Sequence, residues 1–321
     1  LGDKTVAKGI IANADGTWDA QIKIPPMPAG TYLLSASGSL TSSANIKGDV
    51  LVLGSLLTVN IPSGTPGMTI NVSGKGFGSN ESEIDLTYDG VVLVKGISAD
   101  VSGAFARSFV IPPSPSGAHV IDVNQAGASG NGNGSTEIGF QVRPGITLEY
   151  KEGPPGNGIQ VFGLGFGANE PSISLLYDGA PQVSGVSADA VGSFQSSFLI
   201  PLSGAGTHSI QAKSPLSGAT GTPEQDFTVS PSLTLSEVTG SVGLKVMVTG
   251  QGFKPDATVT LIYDDLTEAT LTADNSGSFR LEFQIPESRQ GEHVLRLLDD
   301  QQNKQQISFT IEDTPPPPPS L

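Results

Sequence analysis

Three histidines, His119, His208 and His293, are the side chains best suited to acid–base work or metal ligation near neutral pH. Each follows a glycine by two positions (Gly117, Gly206, Gly291), and they are 89 and 85 residues apart. That separation is about one domain, so they do not converge on one ion. Acidic turns come next. Asp15, Asp100, Asp189 and Asp274 are weak candidates for calcium, with Asn13 and Asn275 close to the first and last; Asp264-Asp265 and Asp299-Asp300 are further acidic pairs. Calcium takes about six to eight oxygens, and no twelve-residue loop with a closing Glu is present. Asp and Asn in tight turns already have a local reason, because they hydrogen-bond nearby backbone and tolerate unusual dihedrals. The clusters Gly74-Lys75-Gly76-Phe77-Gly78 and Gly163-Leu164-Gly165-Phe166-Gly167 look loosely like phosphate-cradling loops. Such a loop must open a helix, and no helical pattern follows either one. Serine is abundant, yet no Gly-x-Ser-x-Gly elbow is present. There is no cysteine, which excludes disulfides, thiolate metal sites and thiol nucleophiles.

What positions these residues is a repeat. Gly76-Phe77 recurs as Gly165-Phe166 and Gly252-Phe253, at spacings of 89 and 87. Tyr88-Asp89-Gly90 recurs as Tyr177-Asp178-Gly179 and Tyr263-Asp264-Asp265. Gly16-Thr17-Trp18 recurs as Gly103-Ala104-Phe105, Gly192-Ser193-Phe194 and Gly277-Ser278-Phe279. Ile24-Pro25 recurs as Ile111-Pro112, Ile200-Pro201 and Ile285-Pro286. One order and nearly one spacing across such landmarks is the signature of a tandem array. All three histidines hold one repeat position, where the first unit has Tyr32. Both side chains have an apolar body and a polar tip, so the expectation is a structural corner in which the tip bonds backbone beside a late strand.

Strand periodicity runs through every unit. Ile84, Leu86 and Tyr88 alternate with polar residues, as do Ile173, Leu175 and Tyr177, Leu244, Val246 and Val248, and Phe279, Leu281, Phe283 and Ile285. Period two with one apolar face means half-buried strands. Asp89-Gly90 and Asp178-Gly179 are expected hairpin turns, and Ser102-Gly103 and Ser276-Gly277 a second hairpin before the aromatic strand. About seven short strands in roughly 87 residues is the size of an immunoglobulin-like sandwich. The expected fold is therefore all-β, a tandem of such sandwiches with the first incomplete at its N-terminal side. The divisions are 1–56 for the partial repeat, 57–144, 145–231 and 232–313 for the full ones, and 314–321 for a Pro-rich tail. The chain begins at Leu1 rather than Met and is expected to be an excerpt whose targeting segments, if any, were removed. Three-residue linkers are expected at Gly54-Ser55-Leu56, Arg143-Pro144-Gly145 and Ser230-Pro231-Ser232.

The run from Val72 to Phe77, then Ala99 to Phe105 and Phe227 to Val229, resembles the bacterial immunoglobulin-like repeats of the IPT/TIG type. The resemblance covers nearly all of the chain except the tail. Its motifs are turn and core signals, and it implies an extracellular stalk, adhesin or surface-layer protein rather than an activity.

Composition agrees with that class. Gly 41 and Pro 24 indicate many turns and argue against a helical bundle. With 16 basic against 31 acidic residues the net charge is −15, which repels phosphate backbones, so nucleic acid is not an expected partner. No run of 18 apolar residues exists to span a membrane as a helix. Expected partners are a cell-surface protein or glycan, or copies of the chain itself, with no resident cofactor. Two other readings stay open: binding modules of a larger secreted protein, and assembly by strand complementation at the incomplete first repeat. Glycan binding needs aromatic platforms, and Trp18, the only Trp, stands where Phe105, Phe194 and Phe279 stand, an expected core position. Arg107 falls on the inward phase of its strand, which calls for either a bulge or a guanidinium at the rim. The glycine-rich stretch Ala126 to Ser135 reads as a flexible loop, and Asn71, Asn80 and Asn133 head glycosylation-acceptor triplets.

Overall fold

The computed structural model describes residues 1–28, 30–39, 50–125, 137–216, 223–300 and 303–312. The loop reading at Ala126 to Ser135, the Asn133 triplet and the Pro-rich tail lie outside them. Every regular element among the described residues is a strand, and no helix there is long and apolar enough to cross a membrane. The chain divides into two compact units, Leu1–Arg143 and Pro144–Leu321.

In the first unit, residues 1–56 contribute one antiparallel pair, β1 (Gly30–Leu33) and β2 (Val50–Leu53). A complete sandwich follows: β3 (Leu56–Val59), β4 (Ser63–Gly64), β5 (Thr69–Lys75), β6 (Ile84–Tyr88), β7 (Val91–Ile97), β8 (Phe105–Val110), β9 (Gly117–Gln125) and β10 (Ile138–Val142). Its sheets are ordered β3-β5-β8 and β4-β10-β9-β6-β7. The second unit holds two more sandwiches of the same order. One comprises β11 (Gly145–Leu148), β12 (Glu152–Gly153), β13 (Gly158–Leu164), β14 (Ile173–Tyr177), β15 (Ala180–Val186), β16 (Phe194–Leu199), β17 (Gly206–Lys213) and β18 (Glu224–Val229). The other comprises β19 (Ser232–Leu235), β20 (Thr239–Gly240), β21 (Lys245–Gln251), β22 (Thr258–Tyr263), β23 (Leu266–Thr272), β24 (Phe279–Gln284), β25 (Gly291–Asp299) and β26 (Lys304–Ile311). A three-stranded and a five-stranded antiparallel sheet with crossing connections make each an immunoglobulin-like sandwich. The short β4, β12 and β20 are the exception in direction, since each runs parallel to the last strand of its own repeat.

The alternation in the sequence is the alternation in the structure. Ile70 and Val72 on β5 are sealed from solvent while Thr69, Asn71 and Lys75 face it. Each sandwich has its own apolar core, built around Phe77 and Phe140, Phe166 and Phe227, and Phe253 and Phe309. The Gly-x-Gly-Phe motif gets its logic here. A Cβ on Gly74 would lie 2.2 Å from the Phe105 ring and 2.7 Å from Phe77, so the bare backbone is what lets these rings meet at 5.1 Å. Gly163 and Gly250 make the same slot for Phe194 and Phe279.

Several expectations are corrected. The Ser102-Gly103 and Ser276-Gly277 turns do not close hairpins: β7 and β8 belong to different sheets, as do β23 and β24, so these turns carry the chain from one layer to the other. The linkers are two residues, because Leu56, Gly145 and Ser232 are already paired as strand. Trp18 is 47% exposed and not in a core, since the described residues before β3 include no counterpart of β5 for its ring to pack on. Arg107 causes no bulge; β5 and β8 pair in unbroken register, and the guanidinium sits in solvent with Nη1 donating to the Ala106 carbonyl at 2.8 Å.

Candidate functional site

The three histidines form three copies of one arrangement rather than one centre. In the first complete repeat, Asp89 and Gly90 link β6 to β7 with φ of 49° and 78°, the left-handed pair that a tight hairpin of this hand requires. The Asp89 amide donates to the Val120 carbonyl at 2.8 Å, and Oδ1 accepts the Val120 amide at 2.9 Å. Its Oδ2 faces His119 Nδ1 at 2.6 Å. The other ring nitrogen, Nε2, is 2.8 Å from the carbonyl of Pro115, an acceptor only, so Nε2 carries a proton that it donates there. The ring lies flat on Tyr88 at 5.2 Å and 15°. His208 repeats this with Asp178, the Gly204 carbonyl and Tyr177; His293 repeats it with Asp264, the Arg289 carbonyl and Tyr263. In the partial repeat Tyr32 donates its hydroxyl to the Pro28 carbonyl at 2.9 Å. This is corner geometry, with the bond reaching back four residues in every copy.

An Asp–His pair also occurs in hydrolytic triads, but here the ring nitrogen that would serve a nucleophile is taken. A general base needs a free lone pair aimed at a nucleophile, and Nε2 is already bonded to backbone. The nearby serines are engaged elsewhere: Ser114 and Ser203 meet the hydroxyls of Tyr88 and Tyr177 at 3.0 and 2.7 Å. Burial pushes those two phenols up to about 12, so they stay neutral.

The Asp partner is what sequence reading missed. The signal was present as a fixed separation of 30, 30 and 29 residues between Asp and His. The partial repeat supplies the control: where Tyr32 replaces His, Gly2 takes the place of Asp89, its amide bonding the Leu33 carbonyl as Asp89 bonds Val120.

In the last repeat each partner favours the charged form of the other. Hydrogen bonding to Asp264, then to the Arg289 carbonyl, raises the His293 imidazole above its usual 6.5. Burial works to raise the Asp264 carboxyl, but bonds from His293 and the Val294 amide outweigh it and hold it below 3.8. The raised imidazole stabilises the fold fully below pH 6.5, and that contribution fades as pH rises through its folded value. The depressed carboxylate contributes above pH 3.8 and fades as pH falls through its folded value. Thermal unfolding followed against pH is therefore expected to peak between those limits, and His293→Gln to flatten the alkaline side. An alkaline limb unchanged by that variant contradicts the assignment.

The calcium candidates are used by their own turns. Asp100 Oδ1 accepts from the Ser102 amide, the Ser102 hydroxyl and the Ala104 amide at 2.8, 2.6 and 3.0 Å. Asp274 does the same with Ser276 and Ser278; Asp189 bonds the Val191 and Ser193 amides, and Asp15 both groups of Thr17. Hydroxyl donors first, then amides, hold Asp15, Asp100 and Asp274 below the ordinary carboxylate range. Among the described residues no three His, Asp or Glu side chains gather as a metal would need. The four candidates stand in separate repeats. A shallow cleft on the third repeat is lined by Phe162, Leu164, Asp189, Ser193 and Gln195. Its apolar shelf is peculiar to that repeat, since Ser73 and Lys75 occupy the matching places in β5, and Thr249 and Gln251 in β21.

No protein-family model matches the chain, and no curated protein does. Solved structures are similar to it. The N-terminal eight Ig domains of Down Syndrome Cell Adhesion Molecule align over 96% of this chain and 47% of that one, at 14% identity and a TM-score of 0.21. The SGBP-B protein of the Bacteroides ovatus mixed-linkage glucan utilization locus, in complex with a mixed-linkage heptasaccharide, aligns over 77% and 64%, at 12% and 0.27. The BSP domain of a biofilm associated protein aligns over 82% and 66%, at 12% and 0.22. The chain spans less than two thirds of each of these, and likeness at this level carries nothing about binding or activity.

Proposed function

We propose that the chain is a non-catalytic extracellular protein, a semi-rigid stalk or surface component built from immunoglobulin-like repeats of the IPT/TIG type. The observation that carries this is the use of the chemistry-bearing residues. Each His, Asp and Tyr of the recurring motif is committed to holding a hairpin and a loop of its own sandwich. Within Pro144–Leu321 the link between sandwiches, Ser230-Pro231, is short and carries a proline that stiffens it. The acidic, polar surface supports solubility and resistance to nonspecific association. With strands rising about 3.3 Å per residue, three and a half such units laid end to end give a length of roughly 100–140 Å. Small-angle scattering tests this: a maximum dimension in that range is expected, and a compact particle of about half that size refutes the stalk.

A second reading, binding modules for a glycan or a protein, is favoured by one specific feature. Trp18 is the exposed aromatic that the sequence pattern had placed inside. Titration of its fluorescence with cell-wall oligosaccharides separates the readings. A saturable change supports binding, and an invariant signal leaves the structural role.

A further inference from the structure

We infer that the corner residue sets the joint between successive repeats, His208 by holding the loop on which the last repeat is seated and Tyr32 by doing the same within the first unit. Within Pro144–Leu321 the seat is two residues long. The Ala205 amide donates to the Phe253 carbonyl at 2.9 Å. Gly204 approaches so closely that a Cβ there would lie 2.4 Å from Pro255 Cδ, and a Cβ on Gly277 would lie 2.9 Å from Gly204 Cα. A second contact closes the other side, where a Gly252 Cβ would be 2.9 Å from Pro155 Cδ and 2.6 Å from the Ser230 carbonyl oxygen.

The loop that forms this seat is pinned from its own repeat. Gly204 gives its carbonyl to His208 Nε2 at 2.8 Å, one residue before the bond that crosses the joint. Ser203 is held by Tyr177 at 2.7 Å. The same construction appears within Leu1–Arg143. Tyr32 pins the Pro28 carbonyl, and Pro28 Cα lies 3.0 Å from where a Gly103 Cβ would stand. Two different side chains, His and Tyr, thus deliver one hydrogen bond to one place, directly behind the surface that meets the next repeat. A two-residue link does not by itself fix the angle between two sandwiches, and sandwiches meeting over a small area move relative to one another unless their contact surfaces are stiff. A seat whose backbone is bonded on both sides supplies that stiffness. The inference concerns the joint and stands whether or not the chain serves as a stalk. His293 is the internal control: it pins the Arg289 carbonyl in the same way, and no further repeat follows among the described residues.

The natural absence of cysteine permits spin labels at Gln182→Cys on β15 and Glu268→Cys on β23, both solvent-exposed. The distance distribution between them, read by pulsed electron resonance in the full chain, reports the joint. His208→Phe keeps a ring against Tyr177 but has no donor; His208→Tyr restores the donor that Tyr32 uses. The expected result is a narrow distribution for the parent, His208→Tyr and His293→Phe, and one roughly twofold broader for His208→Phe, as for sandwiches tethered by a linker alone. Gly204→Ala leaves the corner bonds intact and shifts the mean distance, because its methyl must displace Pro255. Equal widths for His208→Phe and His208→Tyr, or equal broadening by His293→Phe, overturn the role of the corner. If His208→Phe fails to fold, an unchanged Gly204→Ala distribution overturns the seat, and a broad His208→Tyr distribution overturns the hydrogen bond.

Discussion

Phe253→Ala is expected to remove about 3–5 kcal/mol from the last repeat, the cost of emptying a fully buried aromatic site. Phe253 is wholly shielded from solvent and meets Phe279 at 5.6 Å. Its ring occupies the slot kept open by Gly250, where a Cβ would come within 3.0 Å of it. Its backbone is equally committed: the amide bonds the Gly277 carbonyl and the carbonyl accepts from Ala205. The ring therefore fixes the turn to which both the layer crossing and the joint are attached. For a repeat of this size the unfolding midpoint is expected to fall by more than about 10 °C in calorimetry. Phe253→Leu, which keeps apolar volume, is expected to lose less than about half as much. A midpoint within a few degrees of the parent for the alanine variant refutes the role given to this ring.

Glu170→Ala is the second large effect, and it belongs to the third repeat. Glu170 has no measurable exposure. Its Oε2 accepts the Gly167 amide at 2.8 Å, while Oε1 accepts the Leu216 amide at 2.8 Å and the Ser214 hydroxyl. One carboxylate thereby ties the turn after Phe166 to the chain leaving β17. Truncation removes the acceptor of all three donors and leaves the buried Ser214 hydroxyl without this carboxylate, and a loss of about 3 kcal/mol is expected, with Glu170→Gln costing less because one acceptor oxygen remains. Hydrogen exchange gives the specific readout: Leu216 is expected to lose protection before the strands do. The other repeats show that the fold does not need this carboxylate. Glu81 sits half-buried at the matching place with a bond from Gly78, and Ala257 fills it in the last repeat; each carbonyl takes the same strand-edge amide, from Ala188, Ala99 or Ala273. A stability loss for Glu81→Ala as large as that for Glu170→Ala contradicts the part given to burial.

These two residues mark how far the sequence is readable. Phe253 announces itself, because its motif recurs at a fixed spacing and sits at the end of an alternating strand. Period-two patterning likewise reveals Ile70 and Val72, and Asp-Gly reveals the β6–β7 hairpin, since both are local consequences of strand and turn geometry. Glu170 announces nothing, because its partners lie 44 and 46 residues away and no local pattern demands an acid there. The Asp–His pair was visible as two motifs whose common separation went unread. The Ser102-Gly103 turn misled for the opposite reason. Its local chemistry, with Asp100 accepting from its own turn, is that of a hairpin, but which sheet each flanking strand joins is decided by packing across the core. Trp18 misled because alignment to Phe105 carries over a position and not the strands that would bury it.

The direction of β4, β12 and β20 has a mechanical consequence. In each repeat the entering segment and the departing strand lie side by side and run the same way, joined at Ser63–Gly64 to Gln141–Val142, Glu152–Gly153 to Thr228–Val229, and Thr239–Gly240 to Thr310–Ile311. Tension applied through the two ends of a repeat pulls such neighbours in opposite directions along their own axes. The bonds between them are then loaded together in shear, not peeled one after another. Behind the entering strand β3, β11 or β19, each sandwich thus carries a second hold that resists such a pull.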